Sequence, residues 1–137
     1  MRTIFTFCDG SCIPNPGNST IGIHIVENNK TLKQLSLSLG PGTNNIAELN
    51  AVKFSLMILL ELNLGDEINK IFTDSLYSIK ILTDNKWKPK KNIELINEIK
   101  GLIKKFKDLN IDYVPGHKGE VFNEIVHSLA MEQQIKK

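Results

Sequence analysis

Hydrophobic and polar residues alternate along the first forty positions of the chain, and this period of two predicts β-strands with one buried face. Isoleucine occupies every second position of residues 21–25, and leucine does so in residues 35–39. Residues 3–7 are all β-branched or aromatic, which also favours a strand. The predicted strands are Thr3–Phe7, Thr20–Val26 and Leu32–Leu39. A short polar turn, Glu27–Lys30, makes the last two a hairpin.

From Asn44 onward the hydrophobic period lengthens to between three and four residues, which indicates helices packed on a core. Thr43 or Asn44 can cap the first helix, predicted over Asn44–Leu64, and Gly65 is expected to end it. Similar patterns predict helices over Ser75–Leu82, over Asn92–Phe106 and from Asn123 onward, and short strands over Lys70–Thr73 and Ile111–Val114. This order predicts an α/β fold with a five-stranded mixed sheet, three antiparallel strands followed by two parallel ones, flanked by helices.

Length and composition describe an ordinary globular protein. The 137 residues fit a single domain spanning residues 1–137, and 41% hydrophobic with 23% charged residues excludes collagen-like and disordered chains. The densest apolar stretch, Phe54–Leu60, is far shorter than the ~20 residues of a membrane helix, and the N-terminus lacks a secretory signal. We therefore expect a cytoplasmic protein that binds no membrane. Cys8 and Cys12 alone form neither a zinc site nor a disulfide framework, and we expect both to be inert.

Positive charge is concentrated in one part of the chain, although the net charge is only +2. Nine lysines lie between Lys80 and Lys107, against three acidic residues. This run fits either a solvated helix face or a surface that contacts phosphates. Arg2 is the only arginine, which weakens the second interpretation, because arginine leads in bidentate phosphate contacts.

Three acidic residues fall at positions where the predicted fold would bring them together. Asp9 follows the first strand and Asp74 follows the fourth, and ligands of such sheets bind at the carboxyl ends of the strands. Glu48 lies near the start of the long helix, which can reach the same crevice. Each residue alone is ordinary, as a turn residue, a helix cap or a solvated helix residue. Together they repel one another unless a cation neutralises them, and oxygen ligands suit Mg²⁺ or Mn²⁺.

Four sequence blocks resemble one known family. They are Phe5–Cys12 with Asn15-Pro16-Gly17, Thr43–Leu49, Thr73–Tyr77, and Val114–Gly119 with Asn123-Glu124. In this order and at this spacing they resemble type 1 ribonuclease H, and they cover essentially the whole chain. The resemblance implies the ribonuclease H-like fold and an endoribonuclease that hydrolyses the RNA strand of RNA–DNA hybrids with two Mg²⁺ or Mn²⁺ ions. Such an enzyme leaves 5′-phosphate and 3′-hydroxyl ends, and we expect it to be a monomer.

The resemblance also assigns roles to individual residues. Asp9 matches the carboxylate that bridges both metal ions, and Glu48 and Asp74 match the two that complete the site. His117 matches a loop histidine that assists proton transfer or product release. The positions expected to contact the hybrid are Ser11, Cys12, Asn15, Thr43, Asn44, Asn45, Ser75, Trp87 and Asn123. Contacts to the 2′-hydroxyl are chemically necessary, because that group distinguishes RNA from DNA.

His127 departs from the family pattern, because it stands where the family has a fourth acidic residue, four positions after Asn123. One interpretation is a lost ligand and a weakened or inactive enzyme. The other is that the imidazole serves as a metal ligand or base, which suits Mn²⁺ better than Mg²⁺. Glu120 and Glu124 are alternative substitutes for the missing carboxylate.

Two further departures concern substrate contacts. Some relatives insert a basic helix after the residue matched by Asp74, whereas Thr83–Asn92 is short here. Trp87 in this segment either stacks on a sugar or packs in the core. Leu76 replaces a glutamine that many relatives use to read the minor groove.

Two other functions compete with the hybrid-specific nuclease. One is a hybrid-binding module of the same fold that is catalytically weak or inactive. A module without metal chemistry has little need to keep three repelling carboxylates, which argues against it. The other is a related nuclease with a different substrate, such as a DNA junction, and the Thr43–Leu49 block disfavours it.

Overall fold

The computed structural model describes residues 1–84, 86 and 88–114. The strands are β1 (Thr3–Cys12), β2 (Gly17–Glu27), β3 (Lys30–Gly42), β4 (Ile68–Thr73) and β5 (Asp108–Tyr113). The helices are α1 (Asn44–Glu61), α2 (Leu76–Thr83) and α3 (Ile93–Ile103). The helix predicted from Asn123 lies outside the described residues. Within the described part, no helix is long and apolar enough to cross a membrane.

The strands form one mixed sheet in the order β3-β2-β1-β4-β5. The pairs β1–β2 and β2–β3 are antiparallel, while β1–β4 and β4–β5 are parallel. This confirms the predicted five-stranded mixed sheet. It also places β1 at the centre, where both of its edges are paired, so that residues at its carboxyl end lie between β2 and β4.

Several elements differ in length from the prediction. β1 continues past Phe7 to Cys12, because its backbone stays paired with β2 as far as the Cys12–Ser19 pair. Hydrophobic alternation does not report such pairing, so the turn-like composition of residues 8–12 concealed it. α1 ends at Glu61 rather than Leu64, because Asn63 adopts a left-handed conformation with φ of 60° before Gly65 is reached.

The main core lies between one face of the sheet and helices α1 to α3. Its fully buried side chains include Ile4, Ile21, Ile23, Ile25, Leu49, Val52, Leu56, Leu59, Ile71, Ile96 and Ile99. A smaller cluster contains Phe7 and Val26, with Phe5 and Phe72 packed on it. The Phe7 and Phe72 rings stack with centroids 5.0 Å apart, which joins β1 to β4.

β2 is buried on both faces, so the prediction of a half-buried strand was wrong here. Every residue from Ser19 to Val26 is buried, including the polar members of the alternation. His24 is 2% exposed, and its Nε2 lies 2.8 Å from Oγ1 of Thr31 on β3. A polar side chain with a hydrogen-bond partner across the hairpin can therefore occupy a position that the alternation assigns to solvent.

Candidate active site

The register of the central strands brings Asp9 and Asp74 together. β1 and β4 are parallel, and Phe7 is paired with Phe72. Asp9 and Asp74 each lie two residues beyond that pair, at the same carboxyl end of the sheet. Asp9 is still within β1 and is 5% exposed, whereas Asp74 follows the last residue of β4 and is half-buried.

Glu48 reaches the same place from the start of α1. The hydroxyl of Thr43 caps this helix by accepting a hydrogen bond from the Ile46 N–H at 3.2 Å. The backbone of the first turn then passes directly over Gly10 of β1, the neighbour of Asp9. The half-buried carboxylate of Glu48 is hydrogen-bonded to the side chain of Ser75, the residue after Asp74.

The three carboxyl groups are close enough to affect one another electrostatically. Burial, followed by the charge of Asp9, a hydrogen bond with Asp9 and the charge of Glu48, raises the pKa of Asp74 to about 7. Burial is also the main cause that raises the pKa of Glu48; the charge of Asp9 adds to it and the bond from Ser75 opposes it. Such raised values are typical of acidic groups gathered in one site without a compensating positive charge.

The chemistry of these donors fits a hard divalent cation. Mg²⁺ and Mn²⁺ prefer carboxylate oxygens, and a cation would counter the mutual repulsion that, after burial, raises the two pKa values. The side chains do not yet enclose a metal position, since no three His, Cys, Asp or Glu side chains in residues 1–84, 86 and 88–114 form a group able to hold an ion. The carboxylates are therefore neighbours that interact through charge.

The remaining predicted catalytic residues lie outside the described part of the chain. They are His117 and His127, together with the alternative ligands Glu120 and Glu124. The predicted hybrid contacts Trp87 and Asn123 lie outside it as well. The roles assigned to all of them stay predictions.

Several predicted hybrid contacts form one hydrogen-bonded junction between the β1–β2 turn and the start of α1. The backbone N–H of Cys12 donates to Oδ1 of Asn44 at 3.0 Å, and the Asn44 N–H donates to Oδ1 of Asn15 at 3.1 Å. The thiol of Cys12 donates to the Gly42 carbonyl at 3.2 Å, and Cys12 is 2% exposed. Cys12 and the side-chain oxygen of Asn44 therefore hold the junction together, whatever further contacts they make.

The other predicted contacts are distributed around this junction. Asn45 is exposed on α1, and Ser11 is buried in β1. Ser75 is 5% exposed and caps α2, accepting a hydrogen bond from the Ser78 N–H at 3.0 Å. Leu76, at the position where relatives carry glutamine, is 53% exposed beside it.

A cavity of about 510 Å³ adjoins this region. Its lining includes Asn45 of α1, Tyr77 and Ile81 of α2, and the four lysines Lys86, Lys88, Lys90 and Lys91. Asn92 closes the loop, with a left-handed φ of 59°, and its Nδ2 donates to the hydroxyl of Tyr77 at 3.3 Å. The concentration of positive charge in the sequence indicated the lysines. No sequence pattern predicted that Tyr77 and Asn92 would line the same cavity.

Comparisons with known proteins agree with this arrangement. The family model for RNase H matches residues 1–135 of the chain. The chain is 33% identical to a Ribonuclease H of Campylobacter curvus, covering 99% of this chain and 95% of that protein. It is 36% identical to a Ribonuclease H of Actinobacillus pleuropneumoniae, covering 95% and 89%.

Solved structures share the fold. The RNase H1 of the archaeon Halobacterium salinarum superposes with a TM-score of 0.85 at 24% identity, covering 98% of this chain and 99% of that one. LC11-RNase H1, whose structure was solved in complex with an RNA/DNA hybrid, superposes with a TM-score of 0.79 at 24% identity, covering 96% and 99%. With the match of the family model over nearly the whole chain, these findings show that the chain belongs to the RNase H family, whose members are metal-dependent nucleases.

Proposed function

We propose that this protein is a monomeric endonuclease that hydrolyses the RNA strand of RNA–DNA hybrids, using two divalent metal ions and leaving 5′-phosphate and 3′-hydroxyl ends. The observation that carries the proposal is the register of the parallel strands β1 and β4. Asp9 and Asp74 each lie two residues beyond the paired residues Phe7 and Phe72, and so reach the same end of the sheet. Glu48 joins them from α1 and interacts electrostatically with both. The relatives named Ribonuclease H support the same reaction.

The metal-binding residues in this proposal are Asp9, Glu48, Asp74 and His127. The charge of Asp9, on the central strand, acts on both other carboxylates, and Asp9 is the residue that would contact both ions. When bound, two such ions neutralise developing charge on the phosphate and activate a water molecule. The chain itself supplies a buried donor in Asp9 and two half-buried donors in Glu48 and Asp74. The side chain of Ser75 lies beside the carboxylate of Glu48 and lowers the pKa of Glu48, which opposes the effect of burial.

Substrate binding is assigned to the polar groups around the junction. The side chains of Thr43, Asn44 and Asn45, with the β1–β2 turn, offer donors and acceptors for 2′-hydroxyls and the backbone of the hybrid. The lysine-lined cavity offers positive charge for backbone phosphates next to the same helix start. The complex of LC11-RNase H1 with an RNA/DNA hybrid supports this class of substrate for a protein of this fold.

His127 decides how active the enzyme is. We propose that its imidazole replaces the family's fourth carboxylate and that Mn²⁺ supports faster turnover than Mg²⁺. The alternative, an inactive hybrid-binding module, is disfavoured because the clustered acidic groups carry raised pKa values. Such a cluster lowers stability unless it binds a cation, and a module without metal chemistry gains nothing from it.

A cleavage assay tests the proposal. Labelled RNA–DNA hybrid, double-stranded RNA and single-stranded RNA are each incubated with the protein in Mg²⁺ and in Mn²⁺. We expect cleavage of the hybrid alone, faster in Mn²⁺, and products that a ligase or polymerase accepts as 5′-phosphate and 3′-hydroxyl ends. Binding of the hybrid without cleavage in either metal would favour the inactive module instead.

A further inference from the structure

Gly10 lies in direct contact with the backbone of α1. A Cβ atom built on Gly10 would lie 2.3 Å from the carbonyl carbon of Ala47, and 2.5 Å from both the Ala47 oxygen and the Glu48 nitrogen. Real Cβ atoms essentially never approach other atoms so closely. All three neighbours are backbone atoms, so no change of rotamer relieves the clash, and any side chain at this position must move β1 and α1 apart.

Two other glycines show how specific this contact is. At Gly65 a Cβ would lie 2.9 Å from Cδ2 of Leu60, the end of a flexible side chain that can move aside. At Gly101 on α3 nothing lies within 4 Å. Among these three glycines in the described part of the chain, only Gly10 has a contact that brings together the backbones of two carboxylate residues, since Asp9 precedes Gly10 and Glu48 follows Ala47.

The hydrogen bonds beside this contact fix the two elements in the other directions. Asn44 at the first position of α1 accepts from the Cys12 N–H at 3.0 Å and donates to Asn15 at 3.1 Å. These bonds hold the helix start against the end of β1, and so keep the two backbones at their distance of closest approach. The two backbones can approach this closely because glycine has no side chain.

We infer that Gly10 is a positioning residue for the acidic site, because its lack of a side chain sets the spacing at which the carboxylates of Asp9 and Glu48 share a divalent cation. This inference rests on the proposed metal-dependent function. Residues that hold metal ligands in place, without touching the metal, typically change affinity by about 10–100-fold when altered. An added methyl group at Gly10 is therefore expected to weaken metal binding even where the protein still folds.

The test measures Mn²⁺ affinity of the full chain by electron paramagnetic resonance, in the absence of nucleic acid. Gly10→Ala is expected to bind Mn²⁺ about tenfold or more weakly. On the hybrid, its kcat should fall while KM changes much less. Gly65→Ala and Gly101→Ala are the controls, the first adding a methyl to a tight contact far from the carboxylates. Both should keep wild-type Mn²⁺ affinity. Gly10→Ala with wild-type affinity would overturn the inference.

A second variant keeps the test decisive if Gly10→Ala does not fold. Asn44→Ala removes the acceptor of the Cys12 N–H and loosens the same junction without adding volume. It should weaken Mn²⁺ binding by about threefold, the value of one net hydrogen bond. Unchanged Mn²⁺ affinity in Asn44→Ala, with Gly10→Ala unfolded, would reduce Gly10 to a folding role and reject the inference. If the wild-type protein itself neither binds Mn²⁺ nor cleaves the hybrid, the proposed function fails first.

Discussion

Two charged regions lie side by side in this protein, and they are built in opposite ways. The acidic site stands on the ends of two paired strands and the first turn of a capped helix, and its members are buried or half-buried. The basic region is a loop between α2 and α3 whose four lysines are all exposed. Backbone register positions the carboxylates, whereas the lysine side chains extend from a turn into solvent.

This difference indicates which kind of work each region can do. Groups held by sheet register and helix packing keep a fixed spacing, which metal-assisted chemistry requires. Exposed lysines on a loop provide long-range attraction for a polyanion but little geometric precision. We therefore expect single changes in the acidic site to act strongly on the chemical step. Changes in the basic loop should act weakly, and on binding.

The largest effect is expected from Asp9→Asn, which tests whether the acidic site controls the chemical step. This change keeps the shape of the side chain but removes the charge of the one donor that both metal positions share in the proposal. Hybrid cleavage should fall by about 10²–10³-fold or more, a loss of the size seen when one key electrostatic group is removed from an active site. Hybrid binding should change little. Initial rates, with binding measured by fluorescence anisotropy, check both expectations.

The matched control is Asp108→Asn, which removes a carboxylate from an exposed position on β5. Its cleavage rate should equal that of the wild type. Equal losses in the two variants would mean that net charge, rather than the placement of Asp9, controls the rate.

The pKa of Asp74 leads to a second prediction, on pH. Below its raised value of about 7 in the metal-free protein, a proton competes with the metal for this carboxylate. At low Mn²⁺ concentration, cleavage should therefore fall as the pH drops below about 7, by up to about tenfold per pH unit. Raising Mn²⁺ should move the fall to lower pH. A pH profile that does not respond to Mn²⁺ concentration would contradict this.

The same group links pH to the stability of the metal-free protein. Its folded pKa lies above the ordinary 3.8, so between these values the folded state holds a proton that the unfolded state has lost. The contribution of Asp74 to stability is therefore greatest at low pH and is lost as the pH rises towards about 7. Urea unfolding in the presence of a chelator should show this loss in the wild type and a smaller loss in Asp74→Asn.

The placement of the carboxylates could be anticipated from the sequence, and the reasons are physical. Asp9 and Asp74 each follow a hydrophobic strand, and parallel strands present their carboxyl ends at one edge. The helix that carries Glu48 was recognisable from its period and its cap. The hydrophobic period shows how side chains are spaced along a strand or helix, and capping residues show where a helix begins.

Contacts between distant segments were not predictable in the same way. The approach of Gly10 to Ala47 depends on how β1 and α1 meet in space, and a glycine in a turn-like sequence gives no sign of it. The bond from Asn92 to Tyr77 depends on a left-handed residue fifteen positions away. The end of α1 was wrong for a related reason, since Asn63 adopts the left-handed conformation that the sequence suggested for Gly65.

The basic loop gives the third prediction. Replacing Lys88 or Lys90 by alanine should weaken hybrid binding by roughly twofold to fivefold at low salt while kcat stays the same. Each lost phosphate contact should also reduce the slope of log affinity against log salt by about one. Lys33→Ala, on the exposed edge strand β3, is the control and should leave the slope unchanged. A fall in kcat in the loop variants would contradict the assignment of binding to the basic loop and of the chemical step to the acidic site.

The smallest expected effect comes from Tyr77→Phe, which tests whether the hydrogen bond between Asn92 and Tyr77 holds the basic loop in place. The change removes the hydroxyl that accepts the hydrogen bond from Asn92 at 3.3 Å. This bond is long and half-buried, so its loss should cost only about 0.5 kcal/mol of unfolding free energy.

Asn92→Gly removes the same bond from the other side while permitting the left-handed conformation. In a double-mutant cycle, the two changes should lower stability less together than the sum of their separate effects. Strict additivity would mean that the bond does not contribute to stability in solution. The lysines would then act as freely moving charges, which would sharpen the contrast with the fixed carboxylates.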